Sequence, residues 1–412
     1  MDEQHAKVIF RRKVFYLPGY DPFPARRYRE LYRSESARQA AISGYNIRQE
    51  ALEKDRGYGW RVLADFGNGR VTSEISVLTW SDIVQGSMGH GILSTYGQLV
   101  RTAWLYLRSG ALVRLMRLRK GPMIAALYPF VLLLIGLAVA LSLGLIAAEG
   151  MARLATDAHL PLLARLPARL GLAAIGTFAL LWLFRRADRH VFAWYLMHDY
   201  AFTAAHGGAN APELEARMAD FRQRIGATLE GEWDEVLVVG HSSGAHLAVS
   251  ILSDLIRQCP PPPQGPALAF LSLGQVVPMV SFLPRAERLR ADLTYLSERT
   301  ELTWIDITAP GDGCAFALCD PVSVSGMAGP GKRWPLVLSA AFTQTLSPAR
   351  WKELRWRFFR LHFQYLCAFD RPGDYDYFRI TAGPQTLGAY YAGRQPSKSR
   401  IEKAVNPFGR QK

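Results

Sequence analysis

The chain has 412 residues, 49% of them hydrophobic, and a formal net charge of +14. That is enough apolar material to bury a full core in one large domain carrying an insertion, or in two smaller ones, and it excludes intrinsic disorder. Four cysteines without a CxxC pair or zinc spacing exclude a disulfide scaffold and agree with a reducing compartment.

In chain order, Met1 to Lys13 contains no apolar stretch of the kind a secretory signal needs. Val14-Phe15-Tyr16-Leu17 reads as a strand that runs into a Pro18-Gly19 turn at Tyr20. Gly86 to Gly91, with His90 inside it, reads as a Gly-rich turn, either a plain loop or an element above a site. Pro122 to Ala148 carries no charge over about 27 residues, long enough to cross a hydrocarbon core about 30 Å thick at 1.5 Å per residue. A second apolar run, Leu170 to Phe184, spans only about 15 residues and needs a thinned bilayer, or help from Leu160 to Leu166, to cross; a re-entrant or buried helix competes with it.

These runs predict a membrane hairpin over residues 111–190, with helices near 122–148 and 170–184, between a first segment 1–110 and a second segment 191–412. Arg108, Arg114, Arg117, Arg119 and Lys120 precede the first run, and Arg185, Arg186 and Arg189 follow the second. The connection has Arg153, Arg165 and Arg169 offset by Glu149 and Asp157. The positive-inside rule then keeps both flanking segments in the cytoplasm, the protein being multi-pass in the inner membrane. The basic residues also suit an anionic lipid surface, each contributing about 1 kcal/mol near the headgroups. No zinc finger, RRM core or basic zipper supports a nucleic-acid partner.

Phe192 to Ala205 is helical in pattern, and its His198-Asp199 pair cannot face one metal because neighbours on a helix point about 100° apart; the pair is structural or pocket-lining, as is His206. Val236-Leu237-Val238-Val239-Gly240-His241-Ser242-Ser243-Gly244 then writes a buried strand and a G-x-S-x-G turn, followed by helical spacing of Ala245, Leu247, Ala248, Ile251, Leu252 and Leu255. This is the form of a nucleophile elbow, in which a sharp turn holds a serine oxygen clear of the backbone. Gly240 and Gly244 leave room for the turn, Ser242 is the nucleophile, and the Ser243 amide points to where negative charge develops.

Such a serine needs a base and an acid later in the chain, in the order Ser, Asp or Glu, His. His246, one turn into the elbow helix, should face away from Ser242 and is structural, which leaves His362 as the base. Beyond the Pro260 to Pro266 connection, strand Leu268 to Leu273, helical Arg285 to Ser297 and strand Leu302 to Thr308 lead into Ala309-Pro310-Gly311-Asp312-Gly313. An acid in a loop past the end of a parallel strand suits the orienting carboxylate, so Asp312 is chosen, with Asp306 and Asp320 as alternatives and a plain turn aspartate as the competing reading. His362 falls in Arg350 to Phe369, where Ser347-Pro348 signals a helix start but Arg360 to Tyr365 alternates like a strand. Asp370, Asp374 and Asp376 share a turn that fails the calcium-loop pattern, so no metal and no cofactor are expected.

With these residues in view, the chain resembles the α/β-hydrolase superfamily of serine hydrolases, over roughly residues 7–90 and 190–370. The resemblance implies an α/β fold with a mostly parallel central sheet, here interrupted by the transmembrane hairpin. It also implies a second oxyanion donor after the early strand, which maps to the Tyr20 amide, with Pro18 standing where the family usually has His. The expected function is that of a membrane-anchored serine esterase, lipase or thioesterase cleaving a lipid-like acyl substrate through an acyl-enzyme on Ser242. An inactive membrane scaffold of the same fold and an acyltransferase using the same triad are the competing readings.

Overall fold

A computed structural model describes residues 9–52, 58–67, 69–88, 91–154 and 162–409. Eight strands form one sheet: β1 (Phe10–Leu17), β2 (Asn46–Ala51), β3 (Gly59–Asp65), β4 (Arg70–Val77), β5 (Glu235–His241), β6 (Ala267–Leu273), β7 (Leu302–Thr308) and β8 (Leu336–Ser339). Their spatial order is β2-β3-β4-β1-β5-β6-β7-β8. Strands β4, β1 and β5 to β8 pair in parallel, while β2-β3 and β3-β4 are antiparallel. The chain is thus α/β with a mostly parallel sheet, and β1, β5, β6 and β7 each contain the strand residues read from the sequence.

Period-two alternation divides the strand side chains between two cores. Val14, Tyr16, Leu237, Val239, Leu271 and Ile305 face one layer, which includes Tyr28, Tyr32, Tyr365, Phe369 and Phe378. Phe15, Leu17, Val236, Val238, Phe270 and Trp304 face the other, against helices Pro212–Leu229, Ser243–Gln258 and Glu287–Ser297. Burial on both faces explains why β5 reads as an unbroken apolar run. Arg12 of β1 and Glu235 of β5 form a fully buried pair at 2.5 Å, and Arg12 also donates to the carbonyls of Gly383 and Gln385, clamping the C-terminal segment to the sheet.

From β1 the chain builds one side of the sheet through β2, β3 and β4, then returns to β5 and builds the other side. The strand order therefore reverses between β1 and β5, and in open α/β sheets the crevice beyond the carboxyl ends of such strands is where ligands bind. Leu17 and His241 end the two strands there.

Two helices, Lys120–Leu154 and Leu162–Arg186, are long and apolar enough to cross a membrane. The second outlasts the apolar run seen in the sequence because Arg165, Pro167 and Arg169 continue the helix. They pack antiparallel through small residues: a Cβ on Gly144 would lie 2.5 Å from Thr177 Oγ1, and the Thr177 hydroxyl donates to the Ala140 carbonyl at 3.3 Å. Gly136, Ala140, Gly144 and Ala148 form a four-residue small-side-chain repeat suited to close helix contact.

The strand reading of Arg360 to Tyr365 does not hold. The segment is a short helix, Phe358–His362, followed by a 3-10 turn, Phe363–Leu366. The alternation misled because His362 and Gln364 are polar yet buried, Gln364 donating to the Ala368 carbonyl at 2.9 Å. The helix start at Ser347-Pro348 is present as Pro348–Leu354, with the Ser347 hydroxyl accepting from the Arg350 amide. Gly86 lies in helix Ser81–Met88, and His90 lies outside the described residues.

Candidate active site

The site is built from the turns beyond β1, β5, β6 and β7. Ser242 sits between β5 and helix Ser243–Gln258 with φ 56° and ψ −122°, a region that non-glycine residues seldom occupy. The strain is held by close backbone packing. A Cβ on Gly240 would lie 2.8 Å from Ala245 Cα, and one on Gly244 would run into the carbonyl oxygens of Leu17 and Pro18. Gly19, whose role the sequence reading left unassigned, has the same function from the opposite side: a Cβ there would lie 2.9 Å from Ser242 Cβ and 3.3 Å from the Ser243 nitrogen.

Trp80 Nε1 donates to the Pro18 carbonyl at 3.0 Å, and the Tyr195 hydroxyl donates to the Tyr20 carbonyl at 2.5 Å, so the turn after β1 is fixed against the elbow. Tyr20 and Ser243 line one cleft, and among the described residues neither main-chain amide has a protein acceptor. Ser243 also lines the cavity that Ser242 lines, whereas Tyr20 is not among the residues lining that cavity.

Asp312 follows β7, and its carboxylate is fully engaged. Oδ2 accepts from His362 Nδ1 at 2.7 Å and from the Tyr365 hydroxyl at 3.0 Å, while Oδ1 accepts from the Cys314 amide at 2.9 Å. One oxygen thus makes the contact of a turn aspartate and the other holds the His362 imidazole. Burial would raise this carboxyl, but the charge and hydrogen bond of His362, with the Cys314 and Tyr365 donors, hold it below the usual carboxylate value. Because Nδ1 donates to Asp312, His362 keeps Nε2 as the free acceptor.

The alternative acids are committed elsewhere. Asp306 accepts from Ser272 Oγ at 2.6 Å inside the sheet, and burial pushes it up to about 8. Asp320 caps helix Pro321–Val324 and pairs with Lys332 at 2.7 Å. Asp370, Asp374 and Asp376 serve separately, the first two in pairs with Arg38 and Arg394 and the third as the cap of helix Tyr377–Ala382.

Ser242 and His362 line one cavity of about 620 Å³ of empty space, counted to its open mouth, together with Ser243, His246, Asp199 and Cys314. Among the described residues no hydrogen bond joins Ser242 to His362; catalytic contacts of this kind are often long before substrate binds. His246 lines the cavity with Ser242, which corrects the expectation that it faces away. It is neutral there, pushed down to about 4 by burial. Asp199 takes the pocket-lining alternative, whereas His198 Nδ1 contacts Gln98 Oε1 at 3.0 Å.

Three supporting residues escaped the sequence reading. His241, next to Ser242, is buried and bonds through Nε2 to the carbonyl oxygen of His362 at 3.0 Å. A carbonyl only accepts, so His241 is the Nε2–H donor, consistent with burial and the neighbouring His362 pushing it down to about 3. Tyr365 joins Asp312 to the Ala309 amide, which donates to its hydroxyl at 3.0 Å. Gly274, at φ 53°, makes room for His362, since a Cβ there would lie 3.0 Å from its Cε1. The only signal for these in the sequence was proximity to the elbow or to a strand end.

Among the described residues, Asp312, Cys314 and His362 are the one trio whose ligand atoms lie close enough to hold a metal ion, all within 4.8 Å. An ion there would have to replace the Asp312–His362 hydrogen bond. No family model, curated protein or solved structure matches this chain.

Proposed function

We propose that the chain is a membrane-anchored serine hydrolase of the α/β-hydrolase type, cleaving an ester or thioester of a lipid-like acyl substrate. The observation that carries this reading is the strained Ser242 at the end of β5, sharing one cavity with a His362 that is hydrogen-bonded to Asp312. Ser242 Oγ attacks the acyl carbon as its proton passes to His362 Nε2, and Asp312 stabilises the imidazolium through Nδ1. The carbonyl oxygen takes the negative charge and is met by the amides of Tyr20 and Ser243. Collapse breaks the bond to the leaving oxygen or sulfur, which receives the proton from His362. Water, deprotonated by the same imidazole, then releases the acid and restores Ser242.

The substrate class is supported by where the first long apolar helix begins. Pro122, in its first turn, lines the cavity with Ser242 and His362, and Arg119 just before it donates to the Ala317 carbonyl at 2.9 Å. Helix Lys120–Leu154 is about 52 Å long at 1.5 Å per residue, so its first turns reach beyond a hydrocarbon core about 30 Å thick. The cavity then lies at headgroup level. Helix Ile92–Arg108 leaves Leu93, Val100, Trp104 and Leu107 exposed along one face, with Arg101 and Arg108 on the same helix, as an element lying in the membrane surface would. Basic flanks on both long helices favour the cytoplasmic side for the site.

The test is turnover of a panel of acyl esters and acyl thioesters by the protein in detergent micelles. Hydrolysis lost in Ser242→Ala supports the reading; a folded protein inert toward the whole panel counts against it.

A further inference from the structure

The catalytic cleft contains a carboxyl group that the proposed reaction does not use. Asp199 belongs to helix Ala193–Ala205, whose residues Leu196, Asp199, Tyr200 and Thr203 face the cavity at helical spacing. Asp199 also lines an adjoining lobe, narrow inside and open to solvent, of about 420 Å³ counted to its open mouth, reached past Ser243 and His246 and walled by Tyr20, Trp80 and Phe202. It stands where the two lobes meet. No Lys or Arg lines either lobe, and among the described residues no hydrogen bond or ion pair engages its carboxyl. In a chain of net charge +14, an acid facing a cleft without a cationic partner calls for a ligand.

We infer that Asp199 is the headgroup-binding residue of the cleft, receiving the ammonium group of an acyl substrate whose carbonyl lies at Ser242. This deepens the proposed function and rests on it for the position of the carbonyl. Leu196, Val276, Met279, Val280 and Phe359 offer an apolar lobe for the acyl chain, while the aromatic lobe offers ring faces that attract a quaternary or protonated amine. Burial raises Asp199 to about 7, an effect that His362 partly offsets, so a bound cation would draw out its proton near neutral pH. The ionisable groups facing it are His362, Cys314, Tyr20, Tyr106, Tyr195 and Tyr200. The thiol and the phenols are all held above their usual values by burial, and burial keeps His246 neutral.

The experiment is calorimetric titration of Ser242→Ala protein in detergent micelles with octanoylcholine and with the neohexyl ester of the same acid, which replaces the charged nitrogen by carbon. The cationic ester should bind at least about tenfold more tightly. Asp199→Asn, in the same background, should abolish that difference. Without the second substitution, the affinity ratio should rise from about pH 6 to about pH 8 as Asp199 ionises, a readout that does not require the Asn variant to fold. Equal affinities, including no measurable binding of either ester, overturn the inference, as does a preference that survives Asp199→Asn. Binding here needs no turnover, so failure of the hydrolase reading is recognised separately, by an unreactive Ser242 in the unsubstituted protein.

Discussion

His241 and His362 are tied together across the site: the imidazole beside Ser242 donates through Nε2 to the main-chain oxygen of His362 at 3.0 Å, with the two rings 4.8 Å apart. The contact makes the position of His362 depend on β5, the strand that ends at His241 beside Ser242. A short helix without a glycine-flanked loop can therefore present His362 in a fixed orientation.

His241→Leu should lower kcat about 100-fold with little change in KM, because a base displaced by about 1 Å loses that much, and His241→Gln, which keeps a donor, should recover part of it. Steady-state kinetics on the best ester of the panel measures both. The stability consequence has a definite sign. His241 is held down to about 3 in the folded protein, below the ordinary imidazole value, so its contribution is present above about pH 6.5 and is lost as pH falls toward 3. Denaturation midpoints measured from neutral to acid pH should fall less steeply in His241→Leu.

Asp312→Asn should keep the fold and lower kcat by about four orders of magnitude, because an amide in that place favours the wrong imidazole tautomer. Tyr365→Phe removes one of the donors to the same oxygen and should cost about 1 kcal/mol of stability. Asp312 itself is depressed in the folded state, so its contribution holds above the ordinary carboxylate value and is lost as pH falls through the lower folded one.

Gly19→Ala places a methyl group against Ser242 and should lower activity toward every substrate while costing about 1–3 kcal/mol. Gly244→Ala drives a Cβ into two main-chain carbonyls that have nowhere to move, and should not accumulate as folded protein. Expression level, thermal unfolding and kinetics of the two variants distinguish these outcomes.

The membrane arrangement has its own check. Cysteines at Val100, Trp104 and Leu107, in a background without native cysteines, should be protected from a membrane-impermeant maleimide in vesicles, and detergent should expose them. A reporter fused after Phe184 should behave as cytoplasmic; a periplasmic result would overturn the charge argument.

The sequence carried the parts of the fold that rest on local pattern. Four apolar residues before a Gly-rich turn defined β5, and an acid in a Pro-Gly loop after β7 identified Asp312. The antiparallel strands β2 and β3 went unread because one face of each is exposed and carries Arg48, Glu50 and Arg61 among the apolar residues. Strand β8, at four residues, is too short for periodicity to register. His362 was found by elimination, while its surroundings stayed open between helix and strand because a buried polar pair imitates strand alternation. His241, Tyr365 and Gly274 act through contacts between segments 56 to 121 residues apart, and no spacing rule encodes such meetings.

The most direct test of the account is fluorophosphonate labelling of the protein in membranes, with the modified residue located by peptide mass spectrometry. The account predicts a single adduct on Ser242, absent from Ser242→Ala and formed at least about a thousandfold more slowly in His362→Ala. A folded protein that takes up no probe, or one labelled equally well after Ser242→Ala, would contradict it.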